Sequence, residues 1–215
     1  MNPIKKYFYY ASQRRLLKNN EDNMLKRFVE KNCVFFHIPK TGGISVSNAL
    51  FNGVSWGHRN VEYYQKVLGI KRFDESFKFT FVRNPYDRLW SAFHFLKKGG
   101  LNDVDRHFSQ KELSNYDFDS FVSDGLKQEK ILGWIHFKPQ NSFVCDKDGI
   151  LCVDYVGRLE TMKKSYKEVC EILGSDMSLG HHNKSLKPPF KISDKNKAII
   201  KSVYKKDFDL FYPNL

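Results

Sequence analysis

Pro39, Lys40, Thr41, Gly42, Gly43, Ile44 and Ser45 follow the apolar run CVFFHI (33–38) and lead into GISVSNALF (43–51). A lysine, two glycines and two hydroxyls between a strand and a helix make an anion site. N–H groups in the first turn of a helix have no intrahelical partner, and the helix dipole favours negative charge there. Gly42 and Gly43 let the backbone approach an anion closely. Lys40 adds a full positive charge, and Thr41 and Ser45 add hydroxyl donors. The matching ligand chemistry is phosphate or sulfate. The competing reading is an ordinary turn with a stray lysine; strand, lysine, glycine pair and hydroxyls together favour the anion site. The order is not that of the triphosphate loop G-x-x-x-x-G-K-[ST], in which the lysine follows the glycines. No strand ends in a good magnesium-binding aspartate, so a kinase or triphosphatase reading weakens.

A second cluster lies in FTFVRNPYDRLWSAFHF (79–95). Arg83 ends a strand and Ser91 falls inside the next helix. An arginine fork and a serine hydroxyl suit a second phosphate. Arg88 is a further candidate, equally placed to pair with Asp87 or another surface acid. Histidine titrates near neutrality and suits proton removal from an alcohol. His58 in the loop stretch WGHRN is the candidate; His37 at the strand end is read as ordering the loop. His94 and His107 read as a helix-face and a flexible-segment residue.

The elements that must carry these residues follow from periodicity. CVFFHI is a buried strand, and its apolar run gives way to helical spacing at Ile44, Val46, Leu50 and Phe51. NVEYYQKVLG (60–69) is a helix stopped by Gly69, and FKFTFVRNP (77–85) a strand ended by Pro85. YDRLWSAFHFLKKGG (86–100) is an amphipathic helix with Leu89, Trp90, Phe93 and Leu96 on one face. Residues 99–116 read as a flexible polar segment, and DFDSFVSDG (117–125) as a short helix capped by Asp117. NSFVCDKDGILCVDYVG (141–157) reads as two strands around a DKDG turn. Helices follow at 161–174 and, capped by Ser193, at 193–211, with HHNKSLKPPF (181–190) as a loop between them. Strands alternate with helices, which predicts one α/β domain with a central, mostly parallel sheet. Residues 1–30 form a basic helical extension and 31–215 the main domain. In the extension, Ile4, Phe8, Ala11 and Leu16 make an apolar stripe that either packs on the body or meets a membrane surface or partner.

At 215 residues the chain is long enough for one full core, and 41% hydrophobic with 15% aromatic content is globular rather than disordered. A net charge of +12 points to an anionic partner: nucleic acid, acidic glycan, phosphorylated cofactor or membrane surface. No apolar run approaches the roughly 20 residues of a membrane-spanning helix. The four cysteines fit no zinc pattern and no disulfide scaffold.

FFHIPKTGGISVSNAL (35–50) and FTFVRNPYDRLWSAF (79–93) resemble the two nucleotide-binding signatures of sulfotransferases. The closer likeness is to the carbohydrate group that includes heparan sulfate 2-O-sulfotransferases, chondroitin sulfotransferases and bacterial relatives. GHRNVEYYQKVLG (57–69), VDYVGRLETM (153–162) and YKKDFDLFYP (204–213) extend it less specifically. The resemblance implies a P-loop-like fold and a carbohydrate O-sulfotransferase with 3′-phosphoadenosine 5′-phosphosulfate (PAPS) as donor and no metal. It assigns Lys40 to the bridging oxygen, Thr41–Ser45 to the 5′-phosphosulfate, Arg83 and Ser91 to the 3′-phosphate, and His58 to the base. Lys184 and Ser185, beside His181 and His182, would close over the donor. Arg59, Lys138 and Gln140 would line a cleft for an acidic polysaccharide. Arg158, with Glu160, matches a family position and is equally a structural ion pair. The implied location is a bacterial cytoplasm, or the Golgi lumen for an excised catalytic domain. Two other classes stay open: a nucleic-acid-binding protein, disfavoured because most aromatics fall on buried faces, and a nucleotide kinase.

Overall fold

The computed structural model describes residues 2–18, 23–53, 57–180 and 191–215. The chain begins α1 (Pro3–Leu16), α2 (Met24–Glu30), β1 (Cys33–Phe36), α3 (Gly43–Phe51), α4 (Val61–Leu68), α5 (Ile70–Glu75) and β2 (Phe77–Val82). It continues through α6 (Pro85–Lys97), α7 (Asp103–Phe108), α8 (Phe118–Ser120) and α9 (Glu129–Leu132). It then forms α10 (Asn141–Val144), β3 (Tyr155–Arg158), α11 (Met162–Leu173), α12 (Asp194–Val203) and α13 (Lys205–Phe211). Two compact units result: Met1–Val82 with Asn141–His182, and Arg83–Gln140 with Asn183–Leu215.

The first unit is α/β. Its sheet has the order β1-β2-β3, and both pairings are parallel. Cys33 pairs with Phe77 and Phe36 with Thr80; Phe79 pairs with Tyr155 and Val82 with Arg158. A parallel strand covered on both faces needs a continuous apolar run, and every residue of β1 is buried. Aromatic rings supply the packing: Phe35 stacks on Phe79 at 5.1 Å, and Phe28 and Tyr64 meet Phe51 and Phe36 edge-on at 5.2 and 5.0 Å. Burial pushes the Cys33 thiol up to about 12, so it carries no thiolate at neutral pH. All four cysteines are outside disulfides.

Two expectations are corrected here. Residues 141–157 do not form a two-stranded hairpin: Asn141–Val144 is helical, a lone antiparallel bridge joins Cys145 to Leu151, and only Tyr155–Arg158 enters the sheet. Asp146 explains this, since its Oδ1 accepts from the N–H groups of Asp148 and Ile150 and closes a side-chain turn in place of a ladder. The second concerns the apolar stripe of α1, which does not pack on the body: the helix meets α4 through Lys6, Tyr9, Tyr10 and Gln13, while Ile4 and Phe8 of the stripe are 65% exposed.

The second unit is helical among its described residues. Asn84 caps α6 by accepting from Tyr86 N–H, and Pro85 supplies the first turn. Phe93, Phe121 and Phe137 form a chain of rings with centroids 4.7 and 4.9 Å apart. Residues 99–116 are more ordered than their polarity predicts: α7 runs on into a π-helical turn, Ser109–Leu113. Phe108 stacking on Trp134 at 3.9 Å and the Lys97 ammonium on the carbonyls of Leu113, Ser114 and Tyr116 hold it. The closing helix breaks at Tyr204, whose hydroxyl donates to Phe137 O at 2.7 Å.

Arg88 is 2% exposed and belongs to this core. Its fork donates to the carbonyls of His136 and Lys138, and its guanidinium lies 5.8 Å from the Tyr204 ring. Burial lowers its pKa. Replacing it removes the donors that Arg88 supplies to these two carbonyls. Arg88→Leu is expected to cost about 3 kcal/mol of stability in a urea titration; a change within error would mean that the carbonyls rehydrate.

Candidate active site

The strand-to-helix loop after β1 is built on alternating backbone hand. Lys40 has φ +69 and Gly42 φ +84, with Thr41 between them. A lysine in the left-handed region costs about 1 kcal/mol, and such strain concentrates at functional sites. Thr41 is fully buried, and its hydroxyl donates to Ile38 O at 2.9 Å. That hydroxyl therefore locks the loop, contrary to its reading as a ligand donor. Ser45 N–H turns back onto Gly42 O at 3.1 Å, which leaves Ser45 its hydroxyl. No side chain caps α3. The N–H groups of Gly43 and Ile44 open its first turn, where an intrahelical acceptor is impossible. The result is a helix start with donors and a lysine at one place, the chemistry of an anion cradle.

Each glycine has its own reason. A Cβ on Gly43 would lie 2.0 Å from the His37 ring. A Cβ on Gly42 would meet Leu159 and Met162 at 2.8 Å, at a φ that already favours glycine. Leu159 and Met162 follow β3, so the third strand delivers the wall on which the loop rests. Sequence reading missed both. Both lie in the stretch VDYVGRLETM, beside the charged pair Arg158 and Glu160.

His58 joins this site. Its Nδ1 lies 2.7 Å from His37 O, and the two rings meet edge-to-face at 4.5 Å. A carbonyl only accepts, so Nδ1 carries the proton and Nε2 is the basic nitrogen of the neutral ring. Arg59, the next residue, serves packing instead. Its guanidinium lies over Tyr63 at 5.0 Å and Tyr9 at 5.8 Å, which ties α4 to α1. Arg158 ends β3 in register with Val82, exposed, its N–H directed at Ser165 Oγ at 3.4 Å. The first unit thus gathers Lys40 to Ser45, His58 and the β3 end.

In the second unit Arg83 is 6% exposed. Its backbone is clamped at both ends by one side chain, with Arg83 N–H on Gln140 Oε1 and Gln140 Nε2 on Arg83 O, both 2.9 Å. Gln140 N–H in turn donates to the buried Asp207 carboxylate at 2.7 Å. Gln140 is fully buried and positions Arg83, contrary to its reading as a cleft residue. Ser91 lies half-buried on α6, and Lys138 is exposed, its carbonyl taken by Arg88. Asp207, the far anchor of this chain of bonds, was not singled out from sequence. Lys184 and Ser185 lie outside the described residues.

Among the described residues no three His, Cys, Asp or Glu side chains group to hold a metal, and no helix is long and apolar enough to cross a membrane. Residues 25–213 match the sulfotransferase family. The chain belongs to that family. The family expected from the two signatures, and transferase chemistry with it, is borne out over most of the chain. No curated protein and no solved structure gives a match. For this sulfotransferase the loop geometry makes a sharp distinction between its two glycines. Gly43→Ala must displace a histidine ring and is expected to cost about 2 kcal/mol by urea unfolding. Gly42→Ala meets only flexible side-chain ends and its own φ, about 1 kcal/mol. The reverse order of costs would mean that His37 yields readily.

Proposed function

We propose that the protein transfers the sulfuryl group of PAPS to a hydroxyl of a carbohydrate acceptor, with an acidic polysaccharide favoured by the net charge of +12. The observation that carries this reading is the conjunction of a donor-lined helix start, Lys40 and a histidine of defined tautomer in one unit. The residues present suit such a donor: Gly43 has no Cβ between the loop and His37, and an uncapped helix start presents N–H groups to a phosphosulfate. Gly42, Gly43, Ile44 and the Ser45 hydroxyl would hold that end in a P-loop-like manner. Arg83 and Ser91 are the side chains that the second unit offers to a phosphate.

The donor supplies the sulfuryl group and a phosphate leaving group. The S–O bond to that phosphate breaks as a new S–O bond to the acceptor oxygen forms. Lys40 and the loop N–H groups stabilise charge on the departing oxygen, where preorganised donors act most strongly. His58 Nε2 takes the acceptor's proton, and the His37 carbonyl stabilises the resulting imidazolium through Nδ1–H. No metal enters this scheme. Arg158, exposed at the end of β3, is the basic residue that the first unit offers to an acidic acceptor, since Arg59 is engaged in stacking.

Calorimetry tests donor binding: 3′,5′-bisphosphoadenosine should bind without magnesium, and ATP with magnesium should bind more weakly. Preference for ATP would overturn the donor assignment. Lys40→Ala should abolish labelled-sulfate transfer while the fold is kept. His58→Ala should lower turnover by about 10² to 10⁴ with bisphosphoadenosine binding preserved. Wild-type turnover in either variant removes that residue from the mechanism.

A further inference from the structure

The outer face of α1 carries several exposed apolar side chains. Helical spacing puts Ile4, Tyr7, Phe8, Ala11 and Arg15 on one side. Ile4, Tyr7 and Phe8 are 65%, 68% and 65% exposed. The opposite side is fully employed. Lys6 pairs with Glu62 at 2.6 Å, Arg14 Nε donates to Lys66 O at 2.7 Å, and Gln13 Oε1 accepts from the Tyr63 hydroxyl at 2.9 Å. Tyr9 and Tyr10 pack on Tyr63. These contacts hold the helix as a rigid ledge, with its apolar side turned outward. Lys5, Arg15 and Lys18 are exposed around that side, and residues 2–18 contain no acidic side chain.

We propose that this ledge lies on an anionic lipid surface, with Ile4, Tyr7 and Phe8 entering the headgroup boundary and the flanking cations meeting lipid phosphates and carboxylates. An in-plane helix needs this combination: a short apolar face, aromatic rings suited to the interface, and cations beside them. Aliphatic Ile4 beside two rings suits acyl chains better than a sugar, which asks for flat rings with hydrogen-bonding neighbours. A second copy of the chain is disfavoured by charge, since it would bring two bodies of +12 together through basic faces. The placement is independent of the donor and acceptor assignments.

The test is co-sedimentation of the full chain with phosphatidylcholine vesicles, with and without roughly one-third phosphatidylserine. Binding should appear with the anionic lipid and fall as salt is raised. Lys5→Gln with Arg15→Gln should weaken it by about five-fold per charge. Tyr7→Ser with Phe8→Ser should weaken it by on the order of ten-fold or more while sulfuryl transfer to a soluble acceptor is unchanged. Should that variant misfold by circular dichroism, Phe8→Trp decides: its emission should shift to the blue on anionic vesicles alone. Equal binding to neutral and anionic vesicles, no binding to either, or an unmoved emission from the Phe8→Trp variant during binding would each overturn the proposal. So would loss of heparin binding or of a dimer, rather than of lipid binding, in the serine variant.

Discussion

One histidine at the end of β1 governs the geometry of the site. The His37 ring occupies the space that a side chain at position 43 would need, and its carbonyl holds His58 Nδ1. The start of α3 and the orientation of His58 therefore share a single support. Its firmness comes from the strand behind it, where Phe35 stacks both on the His37 ring and on Phe79. The cradle and the basic nitrogen are thereby tied to the aromatic packing of the sheet. Catalytic groups require that kind of rigid backing, since misplacement by an ångström costs orders of magnitude in rate.

The second unit repeats the logic with different chemistry. Arg83 leaves β2 and is held by its backbone, through Gln140 to Asp207, so the direction its side chain takes is set from the main chain. The neighbouring Arg88 is given over to structure, filling the core and serving two carbonyls. Two arginines five positions apart in sequence are thus held in different ways. Burial and partners separate them, and charge alone does not. The same contrast separates Thr41, whose buried hydroxyl donates to Ile38 O, from Ser45, whose N–H closes onto Gly42 O.

Local rules made much of this readable. The strands at Cys33–Phe36 and Phe77–Val82, and the helices after them, are announced by apolar runs and periods, and Asn84, Asp117 and Ser193 cap helices by their chemistry. The lysine-glycine loop was legible for the same reason, because its residue types are nearly sufficient for its conformation. Contacts between distant segments were not legible. Leu159 and Met162 against Gly42, or Gln140 on Arg83, depend on the folded path. The Asp146 turn and the π-helical stretch after α7 show side-chain bonds and ring stacking overruling a reading from polarity. In α1 the apolar stripe was visible, but its direction was set by Tyr63 and Glu62 on another helix.

The sheet's third strand reaches β2 only after the chain has made its long passage through Arg83–Gln140. During synthesis, the loop at Gly42 must wait for the residues that will wall it in. Closing so large a gap is entropically slow relative to forming a hairpin or a helix. A ribosome-bound chain that has finished α6 therefore has its lysine and glycines in sequence but no socket around them. Competence arrives as a late event of biogenesis, when Tyr155–Arg158 adds to the sheet edge.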